Sequence, residues 1–342
     1  MNNWNLIGHD WAANLLQRHL RDGQARHAYL FCGPQGVGRS ALALRFAMAI
    51  NCQQPPEQGL YCGECRSCRL ISAMQHPDLT VLDVPPERTM IPMDAVLELQ
   101  RSMALTPYEA KYRVGLLLNF DAASESAENA LLKTLEEAPP RVILLLTASS
   151  PENLLPTIAS RCEVLLLRPL PPHILQEHLQ AGGLSQPDAH LLAHISGGRP
   201  GLALSLKDDP DRLAQRHTAI DDLMNLMSNN RRERISYAES EARGKDRAAV
   251  RESLKQLLLT WSSFWRDVML ACAGGKDGLP LTNVDVEDAV RMVAEHVSLS
   301  EARRQVGDME RAIARLDKIN LQLQLESLVL NLPVMASSLD PN

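Results

Sequence analysis

Aromatic side chains are scarce in this 342-residue sequence, at 4%. That leaves few platforms on which bases of a single strand could stack. A basic surplus is missing too: 35 Lys and Arg stand against 41 Asp and Glu, a formal net charge of −6. A stand-alone nucleic-acid binder usually carries the opposite balance. No run of about 18 apolar residues occurs, so no membrane span or membrane partner is expected. Met1-Asn2-Asn3-Trp4-Asn5 lacks the pattern of a secretory signal. No internal repeat and no low-complexity tract interrupts the chain. These absences predict a soluble, cytoplasmic protein. In that compartment, seven cysteines are read as metal ligands or free thiols rather than disulfides.

What is present is ordinary for a globular protein of two or three domains: 45% hydrophobic and 22% charged residues. Residues 8–21 carry Trp11, Leu15, Leu16 and Leu20 at helical spacing. Ala28 to Cys32 is a short apolar run, and Ala41–Ile50 reads as a helix. Leu79–Asp83 looks like a strand, ended by Pro85-Pro86, and Met93–Met103 like a helix. Val114–Leu118, Val142–Thr147 and Glu163–Leu167 are continuous apolar runs of the length of strands buried on both faces. Ser124–Ala138 has helical periodicity, with Ser124 as N-cap. Strands alternating with helices predict βαβ units and a parallel sheet.

Pro169, Pro171 and Pro172 mark a boundary. Residues 173–206 hold about three short helices, and no strand is compelling beyond 207. Arg247–Ala273, Asp285–His296 and Leu299–Leu316 read as helices, and Gly274–Gly278 as a loop. Ile319–Leu325 alternates at period two but is assigned to a helix, because a lone strand there has no partner. The tail after Pro333 is expected to fray.

The chemistry starts at Gly33-Pro34-Gln35-Gly36-Val37-Gly38-Arg39-Ser40. A strand, a glycine-rich turn and a helix form the setting of a phosphate-binding loop, in which backbone N–H groups and the helix N-terminus face an anion. In the pattern G-x-x-x-x-G-K-[ST], Gly33, Gly38 and Ser40 fit, and Arg39 stands where lysine belongs. Arginine keeps the charge but is planar and forked, which is not conservative in a tight cradle. A working site also needs acidic residues after the next buried strand, to order magnesium and activate water. There the chain has Leu118 and Asn119. Asp121 lies further on and reads as the start of a turn. Two losses in two motifs of one site predict a loop that does not hydrolyse.

Cys52, Cys62, Cys65 and Cys68 follow C-x9-C-x2-C-x2-C. Overlapping C-x2-C steps can wrap one ion tetrahedrally, so these four are the candidate ligands of a structural zinc. Gly63 supplies the turn. Cys32 and Cys162 read as core, and Cys272 carries no signal. A last motif, Thr157-Ile158-Ala159-Ser160-Arg161-Cys162, precedes the final strand; by spacing alone Arg161 is a surface charge.

Taken together, Gly33–Ser40, the four cysteines, Asn129-Ala130-Leu131-Leu132-Lys133-Thr134-Leu135-Glu136-Glu137 and Ser160-Arg161-Cys162 resemble the AAA+ clamp-loader family of bacterial DNA replication. The resemblance is strong over 8–170, fair to about 206 and weak beyond. It implies an α/β AAA+ P-loop domain with a parallel sheet, a small helical lid domain and an all-α C-terminal collar domain. On this sequence they fall at 1–168, with the zinc module at 52–68, then 169–206 and 207–342. It implies a component of the DNA polymerase III holoenzyme in a five-membered ring. Its partners would be gamma/tau subunits, a delta subunit and, through the complex, the β sliding clamp and primed DNA. The degraded Gly33, Gly36, Gly38, Arg39 and Ser40 imply a stator that does not hydrolyse ATP. A third departure agrees: Gly201 stands where ATP-hydrolysing relatives place a nucleotide-sensing arginine, and Arg199 is out of register. Arg161, with Ser160 beside it, would then reach in trans to a neighbour's ATP. Two rival readings are an autonomous ATPase with Arg39 in the role of lysine and a nucleic-acid-binding zinc protein. The second is disfavoured by the net charge and by the lack of basic residues around the cysteines.

Overall fold

Five runs of strand length become five parallel strands in one sheet, but only Ala28–Cys32, Arg113–Leu117 and Val142–Ala148 are buried throughout; Glu163–Leu166, expected to be buried on both faces, forms a sheet edge with Val164 and Leu166 exposed. The computed structural model describes residues 4–85, 88–274, 281–316 and 319–335. The chain divides into two compact units. One comprises the residues up to Gly183 with Gly198–Leu202, the other Leu184–Gly197 with the chain from Ala203 onward.

In the first unit the elements run α1 (Asp10–Arg21), β1 (Ala28–Cys32), α2 (Arg39–Asn51), α3 (Arg66–Ser72), β2 (Leu79–Leu82), α4 (Met93–Met103) and β3 (Arg113–Leu117). After these come α5 (Glu125–Glu136), β4 (Val142–Ala148), α6 (Pro156–Ala159), β5 (Glu163–Leu166) and α7 (Pro172–Ala181). The strand order is β2-β3-β4-β1-β5, and every pairing is parallel. All five residues of β1 are buried. Its alternate side chains feed two cores. Tyr29 and Phe31 join Leu16, Leu42 and Phe46 on one face. Ala28, Leu30 and Cys32 join Leu99, Leu131 and Leu135 on the other. The parallel pairing and the helices between strands are those of the expected α/β domain.

Several local expectations find their physical cause. Ser124 caps α5 by accepting from the Ala127 N–H, and α5 stops at Glu136, three residues short of Pro139, because the chain before a proline is driven out of the helical region. Trp11 corrects the reading of α1. The face turned to the core is Ala12, Ala13 and Leu16, whereas Trp11 is 51% exposed. Asp78 is fully buried beside the loop between α4 and β3. It accepts from the backbone N–H groups of Tyr108, Glu109 and Ala110. Burial works against its carboxylate, but these donors and Arg113 outweigh that and hold its pKa below the usual range.

The second unit is helical throughout its described residues. It holds α8 (Gln186–Ile195), most of α9 (Pro200–Asp208), α10 (Pro210–Ser228), α11 (Arg231–Glu241) and α12 (Arg247–Cys272). The chain continues with α13 (Glu287–His296), α14 (Leu299–Ile313) and α15 (Leu321–Leu330). The stretch with period-two alternation is therefore a helix, as assigned, with Leu321, Leu325 and Leu328 on its buried side. Trp261, Phe264 and Trp265 of α12 fill the centre of this core. Of the expected loop only Gly274 is described. Residues 275–280, Pro86 and the tail beyond Met335 lie outside the described residues. No described helix is long and apolar enough to cross a membrane.

Arg234 ties the end of this unit together. It is buried, and its guanidinium donates to five backbone carbonyls: Asn229, Val329, Leu332, Met227 and Pro333. All five donors of the group are thus used on carbonyls at the ends of α10 and α15 and in the segment just after α15. Replacing it with methionine keeps the volume and removes every donor. Arg234→Met should lower the stability of the protein in urea by about 3 kcal/mol. A loss under about 0.5 kcal/mol would mean that the carbonyls are satisfied another way.

Candidate functional site

The glycine-rich loop follows β1 as expected, and two of its carbonyls are bonded by other parts of the chain. Gly33, Gly36 and Gly38 all have positive φ, at 148°, 82° and 114°. At Gly36 the requirement is also one of space. A Cβ there would meet the backbone N of Leu202 at 3.0 Å, and the Gly201 N–H donates to the Gly36 carbonyl at 2.7 Å. A residue with a side chain at 201 would bring its Cβ within 2.9 Å of that carbonyl. Gly201 therefore packs its backbone directly against Gly36 of the loop. From the other side, the His9 ring donates through Nε2 to the Val37 carbonyl at 2.9 Å. Burial lowers the pKa of His9 below the ordinary histidine value, with the Val37 contact and Asp10 only partly opposing it.

Arg39, in the lysine position, is buried under this loop. Its Nη2 donates to Asn119 Oδ1 at 3.2 Å, so the residue in the lysine position bonds the residue in the expected acid position. Among the described residues its Nη1 has no hydrogen-bond partner. Burial lowers its pKa, with Asp121 opposing. Asn119 follows β3 in a left-handed conformation. Its N–H donates to Thr147 Oγ1 at 2.8 Å, and its Nδ2 to Asp83 Oδ1 at 3.3 Å. The side-chain amide is thus committed on both ends. Asp121 begins the short turn before α5 and accepts from the backbone N–H and hydroxyl of Ser149. The acid nearest in sequence is spent on joining the ends of two strands.

Cys52, Cys62, Cys65 and Cys68 come together between α2 and α3. Their sulfurs all lie within 4.8 Å of one another. Cys52 to Cys62 is 3.6 Å and Cys62 to Cys68 is 4.0 Å. Four thiolates around one ion at a metal–sulfur distance near 2.3 Å would sit about 3.8 Å apart, so the donor set fits a single soft divalent metal ion. The backbone is folded to the same purpose. N–H groups of Cys62, Cys65 and Cys68 point at the sulfurs of Cys52, Cys62 and Cys65, at 3.3, 3.3 and 3.4 Å. Such bonds favour the thiolate. At Cys65 burial opposes ionisation, yet the donors from Cys68 and its neighbours bring the pKa down to about 6. Burial pushes Cys68 the other way. Gly63, at φ 79°, makes the turn. Among the outlying cysteines, Cys32 is buried as expected, and Cys162 is half-buried against the core.

Arg161 lies after α6, before the N-terminal end of β5. The loop lies beyond the C-terminal end of β1. Since Tyr29 pairs with Glu163 and Cys32 with Leu166, the two features sit at opposite ends of neighbouring strands. The Arg161 guanidinium donates to the Thr157 carbonyl at 2.9 Å, Ser160 Oγ at 3.4 Å and Glu136 Oε1 at 2.7 Å. Its side chain stays 35% exposed. Ser160 therefore touches Arg161 directly. Three participants were invisible to sequence reasoning. His9 and Leu202 reach the loop from either end of the unit's chain. Glu136 belonged to a motif already noticed, but nothing in its spacing pointed to Arg161.

Comparison with known proteins finds relatives among DNA polymerase III subunits. A family model described as DNA polymerase III, delta subunit, matches residues 8–171. The DNA polymerase III subunit delta' of Pseudomonas aeruginosa is 39% identical over 180 residues, which is 52% of this chain and 54% of that protein. This alignment thus spans about half of the relative. The subunit delta' of Escherichia coli is 30% identical over 316 residues, covering 91% of this chain and 90% of its own. The subunit tau/gamma of Haemophilus influenzae is 31% identical over 250 residues, 70% of this chain and 36% of that protein.

The cysteine geometry can be read out with cobalt(II). Titration of the metal-free protein should saturate at about one equivalent, with the thiolate-to-cobalt absorption of a four-sulfur tetrahedral site. Cys65→Ala should weaken the affinity at least about tenfold. A spectrum without thiolate absorption would contradict the site.

Proposed function

The chain belongs to the delta' family of DNA polymerase III subunits, and we propose that it serves as a stator that hydrolyses no ATP and lends Arg161 to the ATP of a neighbouring gamma/tau-type subunit. The observation that carries the first half is the bond from Arg39 to Asn119. In a working site a lysine at 39 would meet the phosphates and an acid at the end of β3 would order magnesium. Here the two replacements bond each other, and the Gly201 N–H and Leu202 backbone cover the loop above them. The glycines remain because the turn from β1 to α2 still needs positive φ.

The second half rests on distance and chemistry. Four strand residues separate the level of Glu163 from that of the loop, about 13 Å at 3.3 Å per residue, and Arg161 precedes Glu163. An arginine side chain cannot span that gap, so it has no use for a phosphate in its own loop. A guanidinium at the edge of a domain suits the charge that builds on a transferred γ-phosphoryl group in another molecule. Ser160 supports it by accepting from Nη1.

The rest of the assignment follows from the family. The four cysteines hold a structural zinc, since four thiolates leave no open position for water. Residues 1–168 form the AAA+ domain, 169–206 a lid and 207–342 a collar through which a ring assembles. The ring contains gamma/tau and delta subunits and places the β sliding clamp on primed DNA. This chain works in the cytoplasm as a component of the holoenzyme.

In a loader reconstituted with gamma/tau-type and delta-type subunits, Arg161→Ala should lower ATP hydrolysis by about 10³-fold at the site it serves, with ring assembly intact. Unchanged hydrolysis would refute the trans role. The isolated chain should show no ATP turnover, and Arg39→Lys alone should not create it, because Leu118 and Asn119 remain. Turnover by the isolated wild-type chain would instead favour an autonomous ATPase.

A further inference from the structure

We propose that Glu136 is a positioning residue for Arg161, fixing the plane in which the guanidinium is presented to the neighbouring nucleotide; this rests on the trans reading of Arg161 above. The first observation is the division of contacts. Nη1 is held by the Thr157 carbonyl and Ser160 Oγ, both close to Arg161 in the chain. Those two contacts pin one corner and leave the group free to swing about it. Nη2 is held by Glu136 Oε1 at 2.7 Å, from a different helix, and this contact stops the swing. Among the described residues Nε makes no hydrogen bond. The group is therefore fixed at two corners, and its Nε N–H is left to donate to an incoming phosphate oxygen.

The placement of Glu136 is the second observation. It is the last residue of α5, where the unpaired carbonyls already carry partial negative charge and a carboxylate is unfavourable. The helix end is itself anchored, because His27 Nε2 donates to the Leu135 carbonyl at 3.0 Å. A carboxylate held against the helix preference, on a fixed support and aimed at one guanidinium, is arranged for orientation. It is not a stability device: both side chains are substantially exposed, at 35% and 51%, and exposed ion pairs contribute little to folding. Pre-fixing the fork reduces the freedom it must lose when it meets the phosphoryl group, and a small error in its position lowers the rate steeply.

The test uses the reconstituted loader. Glu136→Ala should lower kcat for ATP hydrolysis about tenfold, with KM for ATP and ring assembly unchanged. Glu136→Gln, which keeps an acceptor oxygen in place, should retain most of the rate. In the Arg161→Ala background, Glu136→Ala should have no further effect, because there is nothing left to position. A wild-type or raised kcat for Glu136→Ala would overturn the proposal. So would an equal further loss in the Arg161→Ala background, which would mark a general structural defect. If Arg161→Ala leaves hydrolysis unchanged, the trans reading fails and this inference with it. If Arg161→Ala is impaired while Glu136→Ala is not, only the role of Glu136 is lost.

Discussion

The first unit depends on β1 being buried on both faces between β4 and β5. A five-residue strand without a polar side chain facing solvent has to sit at the interior of a parallel sheet. Its register with β5 then fixes where chemistry can be placed. The turn after Cys32 emerges at the C-terminal edge of the sheet, and the segment before Glu163 at the N-terminal edge of the adjacent strand. A phosphate loop and an arginine that precedes the last strand are thereby held at opposite ends. They cannot serve one reaction within one chain, however well each is formed.

The loop after β1 holds the shape of a phosphate cradle while the side chains beneath it bond one another. Backbone geometry is expensive to change: Gly36 must keep a positive φ and must let Leu202 approach. Arginine at 39 finds a neutral amide rather than a phosphate, and only one of its two amino groups is bonded. A hydrogen bond from a charged donor is worth roughly 1.5–3 kcal/mol, enough to hold the asparagine but a partial recompense for burying the guanidinium. The rest of the support is lateral, from His9 on one side and Gly201 on the other.

Much of this was legible before the fold was known, and particular residues show why. Runs such as Val142–Thr147 have a composition that permits only a doubly buried strand, and Ser124 before a periodic segment is a cap wherever it sits. The cysteine spacing encodes its own geometry, since two steps of C-x2-C confine the sulfurs locally. Trp11 shows the limit of periodicity. It occurs at a helical interval from Leu15, yet the small Ala12 and Ala13 allow the closest approach to the core and turn the larger ring outward. Ile319–Leu325 shows the reverse: its local alternation favoured a strand, and the absence of a pairing edge decided for a helix.

The sequence by itself determined the order of strands and helices along the chain, the four-cysteine knuckle and the placing of Arg39 and Asn119 around a glycine-rich loop. These depend on residues near one another in the chain, where spacing and side-chain chemistry act directly. The tertiary structure alone decided that Arg39 spends its charge on Asn119, 80 positions away, that Gly201 closes the loop over Gly36, and that Glu136 holds Arg161. Each of these joins groups that no local rule connects. They meet because parallel strands bring the ends of distant βα units to one edge, and only the packed sheet fixes which ends become neighbours.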